Sequence, residues 1–195
     1  MSESGNAPAT PRAALRTTLN MGNLVALAIS VFALGIGAWQ THLMQSQARA
    51  SVWPFLTMGY TYSSNTDANG FIWQVDNNGV GPARVETVTL SLDGKPMRHW
   101  SDVLATLGAG TSTNFSTTGI AGDVIPPNIN RETTIGAIRV NERDVAKRFH
   151  DALPRFGMDI CYCSVYDECW VAHWQKTRVD AVARCETEGL VQFEE

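Results

Sequence analysis

Hydrophobic and polar positions follow two different rules along this chain. From Leu24 to Trp39 every residue is apolar or small and none is charged. Extended to Met21 and Met44, the run is long enough for a helix to cross a hydrocarbon core of ~30 Å at ~1.5 Å per residue. After it the pattern shortens to alternation and turns. Phe71, Trp73 and Val75 alternate with Ile72, Gln74 and Asp76, and the break is Asn77-Asn78-Gly79. Val85, Thr87, Thr89 and Ser91 alternate with Glu86, Val88, Leu90 and Leu92, ending in the hairpin signal Asp93-Gly94.

Further strands are expected over Ser51–Tyr62, with Pro54 at a strand start or sheet edge, and over Thr133–Val140 and Met158–Ser164. Cys169–Gln175 returns from the last as a hairpin. Two short helices interrupt the strands. Ser101–Leu107 has Val103, Leu104 and Leu107 on one face and Ser101 as N-cap. Asn141–Leu153 has Asn141 as cap and Val145, Phe149 and Leu153 at helical spacing. Gly108–Pro127 reads as a Gly-, Thr- and Ser-rich loop. Six or seven short strands with turn breaks predict a mainly β chain: one N-terminal transmembrane helix, then an Ig-like β-sandwich with short helical insertions.

The domain plan is therefore a disordered cytoplasmic tail over 1–20, a transmembrane helix over 21–44, a stalk over 45–51 and a β-sandwich over 52–195. The tail's Met1–Thr18 stretch is rich in Ser, Ala, Pro and Thr. Arg12 and Arg16 precede the span and Arg49 follows it, a bias that places the N-terminus in the cytoplasm and the body outside. The rival reading is a cleaved signal peptide ending at Ala48-Arg49-Ala50. Its leader and cleavage region are both long for that role. Either way the body is exported.

Charge narrows the partners. The chain has 15 basic and 19 acidic residues, a formal net charge of −4. Removing Arg12, Arg16 and Glu3 leaves the body more acidic still. Without a basic cluster it is not expected to bind nucleic acid. The expected contacts are the lipid bilayer, through residues 21–44, and a protein partner in the periplasm or membrane.

The four cysteines, Cys161, Cys163, Cys169 and Cys185, lie in the last quarter of the chain. An even number in an oxidising compartment points to disulfides. Cys163 with Cys169 would staple the hairpin, and Cys161 with Cys185 would tie down the tail. The alternatives are a metal site or redox-active thiols. The spacing C-x-C-x5-C-x15-C is neither a zinc ribbon nor a C-x-x-C redox pair. Gly79-Val80-Gly81 is followed by Pro82 and a strand rather than by a helix, so it reads as a turn using positive φ and not as a phosphate loop. His42, His99, His150 and His173 have no ligand spacing, and no G-x-S-x-G motif occurs. A hydrolase with an unrecognised constellation is a further alternative. No cofactor motif is present. Trp170 and Trp174 share a face of the last hairpin and form a candidate partner patch.

Trp53-Pro54 after a single anchor, the turn Asn78-Gly79-Val80-Gly81-Pro82-Ala83 and the strand Tyr162-Cys163-Ser164-Val165-Tyr166 together resemble small bacterial single-pass membrane proteins of unknown function. The resemblance spans Leu24 to about Trp174. It implies an anchor and a β-rich domain outside the cytoplasm, and it carries no catalytic residues.

Overall fold

A computed structural model describes residues 12–63, 70–110, 113–128 and 134–194. The chain divides into two compact units, Met1–Ala48 and Arg49–Glu195.

The first unit is helix α1, Arg12–Ala50, which runs on into the start of the second unit. From Met21 onward it is long and apolar enough to cross a membrane. Its apolar side chains are exposed, Leu34 by 74% and Phe32 by 72%. The helix is described from Arg12, inside the segment expected as a tail, while residues 1–11 lie outside the described set. The expected stalk is the last turns of the same helix. Ser30 and Thr41 hydroxyls donate to the carbonyls four residues back, which satisfies them without water.

The second unit is β-rich. Its strands are β1 (Leu56–Ser63), β2 (Gly70–Asn77), β3 (Ala83–Leu92), β4 (Lys95–Met97), β5 (Phe115–Thr117), β6 (Val124–Ile125), β7 (Ile135–Val140), β8 (Phe156–Cys163), β9 (Cys169–His173) and β10 (Asp180–Val182). They form two antiparallel sheets. One has the order β1-β2-β7-β5. The other runs β10-β9-β8-β3-β4, with β6 also on β3. Asp93 and Gly94 both adopt positive φ and close the β3–β4 hairpin, as a two-residue turn requires. Arg155, the residue before β8, forks onto the Asp93 carboxylate, with Nε donating to Oδ1 at 2.8 Å.

Alternation holds in β2, where Phe71, Trp73 and Val75 are fully buried. In β3 it breaks. A bulge between Val85 and Thr87 shifts the phase, so Ala83 and Val85 join Val88, Leu90 and Leu92 in the core. The uninterrupted alternation expected for Arg84–Leu92 put Val85 on the opposite face. The hairpin signal at Asp93-Gly94 is met by β4, whereas β5, β6 and β10 were not anticipated, and β5 and β6 lie in the stretch read as loop.

Helix α2 (Trp100–Thr106) is capped by His99, whose N–H is accepted by Asp102, and not by Ser101. Helix α3 (Arg143–Ala152) has Glu142 at its N-cap, not Asn141. Both helices start one or two residues away from the expected cap because their buried side chains set the phase. Trp100 and Phe149 fix the two helices to the core. Trp73 sits at its centre, with ring centroids 4.4 Å from Trp174, 5.0 Å from Phe156 and 6.1 Å from Trp100. Phe149 stacks on Phe71 at 5.2 Å. These contacts join both sheets and both helices in one apolar cluster.

Candidate functional site

The outer face of the β10-β9-β8-β3 sheet carries the chemistry. Cys161 and Cys163 are two apart on β8 and share that face. Register sets Cys169 of β9 opposite Cys163, and Thr87, just past the bulge in β3, opposite Cys161. From β10 the chain turns back as a tail over this face. Two disulfides form there, Cys161–Cys185 and Cys163–Cys169, and no cysteine is free.

The tail is held a second time beyond the sheet. Phe193 is buried against Trp100, at a ring separation of 5.0 Å. Its N–H donates to the Val88 carbonyl at 2.8 Å, and Glu194 N–H donates to the Arg98 carbonyl. It thus occupies the β3 edge between the short partners β4 and β6. The tail is a strap latched by a disulfide near one end and by an aromatic plug at the other.

Beneath the strap lies a cavity of about 510 Å³. Thr87, Thr89, Asp159, Cys161 and Val171 line it from the sheet. Val182, at the end of β10, lines it too, and Ala183, Arg184, Glu186 and Leu190 line it from the tail. The β3 bulge is what puts the Thr87 side chain here. Bulges recur where a strand must re-aim a side chain at a site. The volume falls in the ~300–1,000 Å³ range of small-molecule sites. Hydroxyls, two carboxylates and one guanidinium meet an apolar wall in this space.

Beside the cavity His173 bridges two carboxylates. Its Nδ1 lies 2.6 Å from Asp159 Oδ1 and its Nε2 lies 3.0 Å from Asp180 Oδ2. Both ring nitrogens are therefore engaged by carboxylates. A general base needs one ring nitrogen aimed at a nucleophile. The row Thr89, Asp159, His173 across three strands puts the carboxylate between hydroxyl and imidazole, the wrong order for a triad. The cluster stitches β8, β9 and β10 together.

Trp170 and Trp174 are the candidate partner patch. Trp170 packs on Tyr162 at 6.0 Å and is half-buried. Trp174 packs on Trp73 and donates Nε1–H to the Leu153 carbonyl at 3.2 Å. Both are half-buried and pack against the core. Asp167, at the β8–β9 tip, is held by Arg84 at 2.7 Å.

Gly79 and Gly81 do not adopt positive φ. They are glycines because segment 52–55 crosses them. A Cβ on Gly81 would lie 2.0 Å from the Val52 carbonyl oxygen, and one on Gly79 would lie 2.4 Å from that of Trp53. The residue that governs this turn was missed. Asn77 is fully buried, and all four hydrogen bonds of its side chain are made. Oδ1 accepts from Phe55 N–H and Gly79 N–H, and Nδ2 donates to the Gly81 and Ile125 carbonyls. A signal was present: continuing the β2 alternation one step past Val75 turns Asn77 inward.

The sulfur atoms of Cys163, Cys169 and Cys185 lie within 4.8 Å of one another. As disulfide sulfurs they carry no thiolate charge with which to ligate an ion. The geometry of a three-sulfur site exists only behind reduction.

Compared with known proteins, the chain matches no family model, no curated protein and no solved structure.

Proposed function

We propose that this chain is a membrane-anchored binding or assembly module without catalytic activity. In this reading residues 21–44 hold it in a bacterial inner membrane, with the N-terminus cytoplasmic. The β-rich domain, read as an Ig-like sandwich, stands in the periplasm. The resemblance through Trp53-Pro54, the Asn-Gly-Val-Gly-Pro-Ala turn and the Tyr-Cys-Ser-Val-Tyr strand belongs to the same reading.

The observation that carries it is the strapped cavity. A tail fixed at Cys161–Cys185 and again at Phe193 roofs about 510 Å³ on one sheet face. Arg184 offers a site for a carboxylate, Asp159 and Glu186 offer sites for an ammonium group, and Val171, Val182 and Leu190 offer apolar surface. A small zwitterion with an apolar body matches that set. The engaged imidazole of His173 favours binding over hydrolysis.

Calorimetric titration of the full-length protein in micelles with apolar L-amino acids and their dipeptides tests the ligand class. Saturable heat that Arg184→Ala and Leu190→Trp both abolish supports it. A silent panel removes it. For location, alkaline phosphatase joined to the C-terminus is expected to be active in cells, and an inactive fusion beside a fluorescent cytoplasmic reporter would reverse the topology.

A further inference from the structure

The two disulfides touch. Cys163 Sγ lies 3.9 Å from Cys185 Sγ although the two are not bonded to each other. Three of the four cysteines are buried on the sheet, while Cys185, on the tail, is partly exposed. Solvent thus reaches the pair through Cys185, and the nearest sulfur of the other disulfide is Cys163.

We propose that these four cysteines form a thiol–disulfide exchange switch, which one equivalent of a dithiol reduces without turnover and which moves the tail from Cys161 to Cys163. The inference rests on the sulfur positions alone and does not need a ligand in the cavity.

The steps balance. A thiolate of the external dithiol attacks Cys185 Sγ, the Cys161–Cys185 bond breaks, and its electron pair leaves on Cys161, which takes up a proton. The second thiol of the reagent then attacks the mixed disulfide and leaves as part of the oxidised reagent, expelling Cys185 as thiolate. That thiolate, now free to rotate, attacks Cys163 Sγ. The Cys163–Cys169 bond breaks and its electron pair leaves on Cys169. The dithiol has lost two electrons. The protein has exchanged two disulfides for one, Cys163–Cys185, and two thiols, at Cys161 and Cys169. Exchange of this kind is governed by access and by which sulfur is attacked, and the fold supplies both.

The move has a structural consequence. Cys161 and Cys163 are two residues apart on β8, about 7 Å along a strand. Cys161 lines the cavity wall and Cys163 does not. Re-anchoring at Cys163 draws the roof of the cavity along the sheet and leaves a thiol in its wall.

The test is a disulfide map. The full-length protein in micelles is treated with limiting dithiothreitol, quenched with N-ethylmaleimide and digested, and the linked peptides are identified by mass. The expected two-electron product has Cys163 linked to Cys185 and the label on Cys161 and Cys169. A product that keeps either original bond, or one with a statistical spread of links like that of the urea-unfolded chain, overturns the proposal. Cys169→Ala provides a second route with no reductant. It leaves a Cys163 thiol beside an intact Cys161–Cys185 bond. Exchange then divides the label between Cys161 and Cys163, whereas label confined to Cys163 refutes it.

Discussion

The side-chain amide of Asn77 donates to the carbonyl of Gly81 at 2.8 Å, across the turn that both residues belong to. Its other three bonds reach Phe55, Gly79 and Ile125, so one buried side chain joins three stretches of chain. Buried backbone groups left without partners each cost about 1–3 kcal/mol. Asn77→Ala orphans two N–H groups and two carbonyls, of which solvent can rescue some. It is expected to destabilise the domain by about 3 kcal/mol. Asn77→Asp keeps the acceptor but faces two carbonyls with a carboxylate, and should be no better. Urea unfolding of the full-length protein, followed by tryptophan fluorescence, measures both. A loss below about 1 kcal/mol for Asn77→Ala would show that the network is dispensable.

Gly81→Ala tests the close approach by itself. The new Cβ meets the Val52 carbonyl carbon and oxygen at 2.3 and 2.0 Å, and both are backbone atoms that cannot swing aside. Segment 52–55 must move, and the Phe55 contact with Asn77 moves with it. The expected cost is about 2–3 kcal/mol, in the range of overpacked sites. Gly94→Ala is a control of a different kind, since space is open there and only the positive φ of 74° resists the change. It should cost less.

Tyr162 gives the domain an alkaline limit. Burial pushes its hydroxyl up from 10.0 to about 12, opposed by the hydrogen bond from Leu56 N–H. Between these values the unfolded chain has lost the phenolic proton and the folded chain still holds it. Folded protein therefore binds more protons there, and stability falls as pH rises from 10 to 12. Below pH 10 the contribution is constant. Tyr162→Phe removes this slope while leaving the Leu56 N–H without its acceptor, a cost of about 1–2 kcal/mol at neutral pH. Unfolding curves at pH 8 and 11 separate the two effects: the gap between wild type and variant should narrow at the higher pH.

Periodicity made the skeleton of this fold legible. The uncharged run predicted one long helix, and the alternation in Phe71–Asp76 predicted the buried face of β2. Short elements escaped it. β5 and β6 have three and two residues, too few to show a period, and exist because a neighbouring strand offers an edge. The β3 bulge was hidden for a related reason. Thr87 and Val88 are both β-branched and suit a strand in either phase, so only packing decides which one faces the core. The candidate site was least legible, since it depends on where a tail of irregular chain comes to rest. Cys185 announced a tether but not the cavity beneath it, and nothing in the sequence distinguishes Phe193 as a plug from any other hydrophobe near a terminus.

The two latches of the tail should prove unequal and coupled. A disulfide gains from the length of chain it closes, which gives about 3 kcal/mol for a separation of 24 and about 2 kcal/mol for one of 6. Cys163–Cys169 also joins residues that the β8–β9 register already holds opposite each other, so its removal should be the milder change. Replacing Cys161 and Cys185 by serine is expected to cost about 3 kcal/mol, and Phe193→Ala a similar amount for a buried aromatic ring. The two losses should not add. Phe193 is ordered by a tail that the disulfide constrains, and once that constraint is gone the tail lifts away before the rest of the domain unfolds. A double-mutant cycle should give a coupling energy of about 1 kcal/mol, with the combined variant less damaged than the sum. Strict additivity would mean that each latch holds its own contacts independently, and the tail would then be two separate attachments and not one strap.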